Sequence, residues 1–320
     1  MAMRIGADVG GTFTDVVLEV DDDNSTSGPK MFSTKVLTTY EAPEQGILDG
    51  VRTVAAEAGA NLADLDTFIH GTTLATNALI SRTGARTALV TTDGFRDTIE
   101  MRTESRFEQY DLNLVLPAPL IQRSDRHVLR ERLAADGTVL RPFDEEEARA
   151  LVEALADRPD DEAYEAVAVG FIHAYVDGTH ERRFRELLLE RLPDVAVSIS
   201  SEVAPQMREF ERFNTACTNA YLQPLMATYL HRLADDLAAT GARCPVYLIH
   251  SGGGLVSVDT AARFPVRLVE SGPAGGAIFA ADIAARHGLD RVLSYDMGGT
   301  TAKICLIEDH TPRTAKTFEV

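Results

Sequence analysis

The five-residue pattern Asp-x-Gly-Gly-Thr occurs twice in this chain, at Asp8 to Thr12 and again at Asp296 to Thr300. At average residue usages one copy is expected by chance in about one in 200 chains of this length, so a pair strongly constrains the fold. Each copy sits between apolar or alternating runs and reads as strand, tight turn, strand, with the diglycine expected to supply the positive φ of a two-residue primed turn. The first turn is dressed with chemistry: Asp8 precedes it, Thr12 and Thr14 follow, and Asp15 closes it. Backbone N–H groups without a Cβ in front of them can wrap phosphate oxygens, hydroxyls add donors, and an aspartate can hold Mg²⁺ through its waters. Such a hairpin suits a nucleoside triphosphate.

A duplicated phosphate hairpin resembles the actin, sugar-kinase and Hsp70 superfamily, in which two ribonuclease-H-like domains each offer one hairpin to ATP. The wording is closer still to the A-type subunits of the hydantoinase/oxoprolinase family. The segments that carry this resemblance are Asp8-Val-Gly-Gly-Thr-Phe-Thr-Asp15, His70-Gly-Thr-Thr-Leu-Ala-Thr-Asn-Ala-Leu-Ile80, Thr92-Asp-Gly-Phe-Arg96, Tyr221-Leu-Gln-Pro-Leu225, Ser271-Gly-Pro-Ala-Gly-Gly276 and Asp296-Met-Gly-Gly-Thr300. The implied fold is α/β: a ribonuclease-H-like first domain with an inserted α/β subdomain, then the truncated start of a second ribonuclease-H-like domain. In chain order this gives residues 1–200 as the N-terminal region with the first hairpin. Residues 201–320 would carry the linking helix and the second hairpin, incomplete at the C-terminus.

At 320 residues and 45% hydrophobic content the chain exceeds the usual size of one domain, which agrees with two. A net charge of −18 argues against a nucleic-acid backbone or an anionic membrane as partner. The acid runs Asp21 to Asp23, Asp144 to Glu147 and Asp160 to Glu162 read as solvated faces and helix starts. Three widely spaced cysteines, Cys217, Cys244 and Cys305, suit reduced thiols rather than a disulfide framework. With no apolar run of membrane-spanning length and no leader before the first strand, a cytoplasmic protein is expected.

Along the chain, a third strand around Met31 to Leu37 and a helix from Ala42 to Ala58 follow the first hairpin. Thr67 to His70 reads as a strand, after which Thr72 or Thr73 caps a helix from Leu74 to Ile80. Capping alone accounts for both threonines. The other reading puts His70 and the Gly-Thr-Thr loop at a strand's carboxyl end facing an anion, and the resemblance favours it. Met101 to Pro119 has no clean period and reads as a surface excursion. Regular α/β units follow up to Ser200. Within them Phe171 to Glu181 holds two histidines and two acids, but their spacing matches no standard metal-ligand pattern and Thr179 looks like a helix start. A long helical stretch from Met207 to Thr240 is expected to be kinked or divided at Pro224. A strand over Val246 to Ile249 delivers the glycine-rich tip His250 to Gly254, read as a cleft loop. Ser271 to Pro273 then opens a helix that runs to His287.

The family resemblance implies ATP and Mg²⁺ as cofactors and phosphoryl activation of an unreactive carbonyl, in which transfer to the amide or enol oxygen creates a leaving group. It assigns phosphate cradling to Gly10, Gly11, Thr12, Gly298, Gly299 and Thr300, with Thr14, Asp15, Thr72, Thr73, Thr301 and Lys303 as further binding residues. Asp8 and Asp296 would hold Mg²⁺ through water or orient the attack, with His70 as a third catalytic residue. Lys303 stands where many A-type subunits carry an aspartate, and a cation there can pair with phosphate. The expected function is an ATP-dependent hydrolase subunit acting on cyclic amides; a subunit of an ATP-dependent ketone carboxylase and a non-catalytic nucleotide-binding fragment are the alternatives. The expected partners are a missing C-terminal half and a B-type hydantoinase or carboxylase subunit, with a small cyclic amide or ketone as substrate. The chain alone is expected to be inactive.

Overall fold

The computed structural model describes residues 2–21, 28–39, 42–103, 108, 110–297 and 302–315. They form two compact units, Met1–Arg82 with Met226–Val320, and Thr83–Leu225. By contacts the chain divides after Arg82 and after Leu225, so the second unit is inserted in the sequence of the first.

The first unit begins with an antiparallel meander of β1 (Ala2–Val9), β2 (Phe13–Asp21) and β3 (Lys30–Leu37). Alternation sends Met3, Ile5, Ala7 and Val9 of β1 and Thr14, Val16, Leu18 and Val20 of β2 into the interior. Helix α1 (Pro43–Ala58) covers that face and stops at Gly59, whose φ of 62° is the left-handed C-cap. Its glycines bring the helix backbone down onto the sheet, since a Cβ on Gly50 would lie 2.5 Å from Cγ2 of Val16. Strand β4 (Thr67–Thr72) pairs parallel with β1, and α2 (Leu74–Ser81) follows.

The inserted unit contains β5 (Thr87–Thr92), a short α3 (Thr98–Met101), β6 (Arg126–Leu129), the small pair β7 (Arg132–Leu133) and β8 (Val139–Arg141), α4 (Glu145–Ala156), β9 (Ala166–Gly170), α5 (Thr179–Arg191), β10 (Ala196–Ile199) and α6 (Ser200–Val203). Its main sheet, in the order β10-β9-β5-β6, is parallel throughout. Every residue of β5 and β9 is buried, as a parallel sheet covered on both faces requires. One face packs Val90, Val169 and Phe171 against Phe184 and Leu187 of α5; the other packs Leu89 and Ala168 against Phe213 and Cys217. The acid run at 144–147 is a helix start, with Asp144 Oδ1 accepting from the N–H groups of Glu146 and Glu147. In the two-histidine segment, Glu181 is buried and accepts from the N–H groups of Phe171 and Ser201 and from Ser200 Oγ. His180 Nδ1 lies 2.7 Å from Glu131 Oε2.

Phe213 and Cys217 belong to α7 (Glu209–Ala239), which carries Pro224 inside it and remains one helix. Of the kink or division expected there, the division does not occur. Ala220, Leu222 and Met226 around the proline are buried, and packing on both sides offsets the lost backbone hydrogen bond.

The chain then returns to the first unit with β11 (Val246–Ile249), parallel to β4, and β12 (Leu255–Ser257), antiparallel to β11. This completes a six-stranded sheet in the order β12-β11-β4-β1-β2-β3. Helices α8 (Val258–Arg263) and α9 (Ser271–Arg286) follow, then an antiparallel sheet of β13 (Arg291–Met297), β14 (Ala302–Glu308) and β15 (Thr311–Pro312). On one face of that sheet Leu293 stands opposite Leu306 and Tyr295 opposite Ile304, and all four side chains are exposed, Ile304 at 63%. Among the described residues no helix is long and apolar enough to cross a membrane.

Candidate functional site

The first hairpin is tied down from beneath. Gly10 N–H donates to Phe13 C=O at 3.0 Å, Thr38 N–H donates to Thr12 C=O at 3.0 Å, and Thr38 Oγ1 donates to Gly10 C=O at 3.1 Å. Thr14 is fully buried and its hydroxyl lies 3.1 Å from that of Thr38, so it braces the turn from inside and does not face a ligand. The expectation of a primed turn fails, because neither Gly10 nor Gly11 takes a left-handed φ. The glycines serve space instead. A Cβ on Gly10 would stand 3.0 Å from Phe13 C=O, whereas one on Gly11 would meet nothing within 4 Å. Gly11 and Thr12 are exposed, and no side chain stands over Gly11.

Beside the tip lies a row of charge. Asp8 is the direct cross-strand partner of Asp15, Asp15 of Lys35, and Gly71 of Asp8. Like charges opposite one another on a sheet repel; Lys35 Nζ answers this by pairing with Asp15 Oδ2 at 2.7 Å. Water reaches Asp8 from the open face, yet its carboxyl is held above its ordinary range. Desolvation by the surrounding protein is the main cause, followed by repulsion from Asp15 and Asp296, with Lys35 opposing. A Cβ on Gly71 would lie 2.7 Å from Asp8 Oδ1, so this glycine is what lets the carboxylate lie against β4.

His70 sits on the other side of the sheet. It is fully buried, with Nδ1 3.0 Å from Ala7 C=O and Nε2 2.8 Å from the hydroxyl of Tyr229. Burial pushes its pKa down to about 4, so the ring is neutral: Nδ1–H donates to Ala7 and Nε2 accepts from Tyr229. The chain continues, because Thr72 is hydrogen-bonded to Tyr229 and its Oγ1 accepts from Leu74 N–H at 3.1 Å. Thr72 is buried and Thr73 Oγ1 donates to Val9 C=O at 3.2 Å. This run of bonds ties β1, the 71–73 loop and α7 together just behind Asp8, and neither His70 nor Thr72 is open to a ligand.

In the second hairpin, Gly298, Gly299, Thr300 and Thr301 lie outside the described residues. Its flanks are described: Asp296 is exposed, close enough to raise the Asp8 carboxyl, and is the cross-strand partner of Lys303. Lys303 Nζ donates to Glu270 Oε2. The structure thus brings Asp8, Asp15 and Asp296 together with Gly11 and Thr12, and leaves His70, Thr14 and Thr72 in the interior. Among the described residues no three His, Cys, Asp or Glu side chains could ligate a metal directly. At the glycine tip after β11, Gly252 N–H donates to His250 Nδ1 at 3.0 Å, and a Cβ on Gly252 or Gly254 would come within 2.7 Å of that ring. Sequence reasoning missed Lys35, Thr38, Tyr229 and Glu270; the cross-strand register, α7 and the start of α9 bring them into place.

The residues present fit a magnesium-bound polyphosphate: an exposed turn with a threonine hydroxyl beside carboxylates that can hold the ion's waters. Residues 4–192 match the hydantoinase/oxoprolinase N-terminal region, and residues 212–320 match the hydantoinase/oxoprolinase domain. The chain belongs to the hydantoinase/oxoprolinase family. It is 33% identical to the caprolactamase subunit alpha of Pseudomonas jessenii, over 95% of this chain and 43% of that one. It is 31% identical to the acetophenone carboxylase gamma subunit of Aromatoleum aromaticum, over 97% and 43%. Among solved structures, the crystal structure of the ATP-dependent caprolactamase superposes with a TM-score of 0.82 at 32% identity, covering 95% of this chain and 43% of that one. A nucleotide-free acetone carboxylase superposes with the same TM-score of 0.82 at 25% identity, covering 97% and 44%. The chain spans less than half the length of these relatives.

Proposed function

We propose that this chain is the nucleotide-binding part of an ATP-dependent enzyme that hydrolyses cyclic amides by phosphoryl activation of the carbonyl. The observation that carries this reading is the meeting of Asp8, Asp15 and Asp296 beside the open Gly11-Thr12 tip. Its relatives named for ATP-dependent caprolactam chemistry support it. The strand order β3-β2-β1-β4-β11, antiparallel in the meander and parallel after it, supports a ribonuclease-H-like first domain, and β13 to β15 would open a second one.

In this reading the Gly10-Gly11-Thr12 turn seats phosphate, with Gly10 N–H holding the turn through Phe13 C=O and the Thr12 hydroxyl facing the ligand, as Gly298, Gly299 and Thr300 do from the second hairpin. Asp8 and Asp296 hold the waters of Mg²⁺, Lys35 keeps Asp15 from repelling the phosphates, and Gly71 keeps Asp8 seated. Bound Mg-ATP supplies the phosphoryl group and neutralises charge that develops on it. His70 is a positioning residue that reaches the site through Ala7 and Tyr229. The exposed face of β13 and β14 is assigned to the remainder of the enzyme, which would also carry or recruit the hydrolytic subunit. A carboxylase subunit is the second reading, favoured by the likeness to the acetophenone and acetone carboxylases.

Calorimetry of the chain with Mg-ATP and with NAD tests the nucleotide, since tighter dinucleotide binding would refute the reading. In the assembled enzyme, ADP release that requires a lactam supports the hydrolase. Release that requires bicarbonate and a ketone supports the carboxylase.

A further inference from the structure

The two hairpins match in register, and over the eight residues from Asp8 to Asp15 and from Asp296 to Lys303 they differ in charge at one corresponding position. Seven residues after its aspartate the first carries Asp15 and the second Lys303, and in both cases the two residues face each other directly across the strands. The first hairpin therefore offers two carboxylates to a cation, while the second offers a carboxylate and an ammonium.

That ammonium is already engaged. Lys303 Nζ donates to Glu270 Oε2, and both side chains keep part of their surface in water, 33% and 21%. Glu270 stands at the N-cap position of α9 in a left-handed conformation, φ 64° and ψ 24°, which is uncommon for a residue with a side chain and recurs at ligand clamps. The surroundings impose it: Glu270 N–H donates to Thr76 Oγ1 at 3.2 Å, and Ser271 Oγ donates to Thr72 C=O at 3.4 Å. Although placed to cap α9, the Glu270 side chain makes no cap hydrogen bond; its carboxylate is turned to Lys303. A strained backbone thus presents a carboxylate to the single position that changes sign between the hairpins.

Resting on the nucleotide reading above, we infer that Glu270 is a place-holder anion. It seats Lys303 when no polyphosphate is bound and yields it to a terminal phosphate of the nucleoside triphosphate, so that Lys303 selects for that phosphate and Glu270 sets how tightly. A phosphate carries more charge than a carboxylate and wins a compact ammonium once Mg²⁺ has offset the neighbouring aspartates. The displaced carboxylate stays at the positive end of a sixteen-residue helix, where a negative charge is favoured.

The test is calorimetry of the 320-residue chain with Mg-ATP and with Mg-AMP, which lacks the terminal phosphates. Glu270→Gln is expected to tighten Mg-ATP about tenfold by removing the competitor, and Lys303→Met to weaken it about tenfold. Mg-AMP should be unchanged in both, and Glu270→Gln should add nothing in the Lys303→Met background. Lys303→Arg, which keeps the charge, should restore most of the discrimination. Should Lys303→Met fail to fold by thermal melting, Glu270→Gln and Glu270→Asp carry the test between them. Unchanged or weaker Mg-ATP binding by Glu270→Gln, or an equal effect on Mg-AMP, overturns the inference while leaving the nucleotide reading standing. No Mg-ATP binding by the folded parent chain overturns both.

Discussion

The same motif stands on two very different supports. The first hairpin is part of a six-stranded sheet whose inner face is closed by α1, with Val16 and Leu18 fully buried. The second stands on three strands, and Leu293, Tyr295, Ile304 and Leu306 of its flanks face water. Contiguous apolar patches of this kind mark interaction surfaces. The local sequence of the hairpin is therefore separable from the fold that steadies it: within the described residues the first hairpin is built on a finished core, and the second has an uncovered apolar face.

The sharpest way to break that contrast is to truncate one leucine on each side. Leu18→Ala is expected to destabilise the chain by about 2–5 kcal/mol through lost burial and a residual cavity, whereas Leu306→Ala should change stability by less than about 0.5 kcal/mol. Urea denaturation of the two variants decides it, and equal losses would mean that the second sheet is packed in solution. Leu306→Ala should also reduce self-association by light scattering.

A smaller effect is expected from the bonds behind the first hairpin. Tyr229→Phe removes the donor to His70 Nε2 and leaves a buried acceptor unmet, a cost of about 1–3 kcal/mol. The sign with pH follows from His70, whose folded pKa of about 4 lies below its ordinary 6.5. Its contribution is fully present above pH 6.5 and is lost as pH falls toward 4, so melting temperatures of the parent chain should fall across that window. His70→Gln should flatten the slope.

The smallest effect sharpens the charge contrast. Because the Asp8 carboxyl is raised above its ordinary 3.8, the folded chain binds its proton more strongly than the unfolded chain does. That stabilisation is present at low pH and is lost as pH rises through the folded value. Asp8→Asn should therefore melt slightly higher than the parent at pH 7, with the gap closing below pH 3.8. Mg-ATP should raise the melting point of the parent and not of the variant; a rise in both would remove Asp8 from the metal's surroundings.

Much of this architecture was legible in the residues. The strand around Met31 to Leu37, the helix from Ala42 to Ala58 and the strand over Val246 to Ile249 rest on short-range signals, and the elements lie there, at Lys30–Leu37, Pro43–Ala58 and Val246–Ile249. What was not legible depends on contacts far along the chain. Whether His70 faces a ligand or the interior is decided by Tyr229, 159 residues away. Thr14 looks like a phosphate hydroxyl until β3 brings Thr38 against it. Pro224 marks a break by local rules, and the buried residues around it override them. Lys303 appeared as a lone cation, whereas its meaning comes from Glu270, 33 residues earlier.

The inserted unit also has a bearing on how the molecule comes to be folded. Strand β11 cannot pair with β4 until everything between them has been brought out of the way, and closing an unstructured loop of about 170 residues, from Thr72 to Val246, costs on the order of 5 kcal/mol of chain entropy. The two ends of the insertion meet within the unit itself, where Ala85 N–H donates to Tyr221 C=O at 2.9 Å and a Cβ on Gly84 would collide with the Tyr221 ring. Once that unit has collapsed, the long excursion behaves as a short hairpin and β11 is delivered close to its partner. The order of events is then written into the topology: the insertion forms early, the central sheet closes late, and a ribosome must release the chain well past Ile249 before the first hairpin has all of its neighbours.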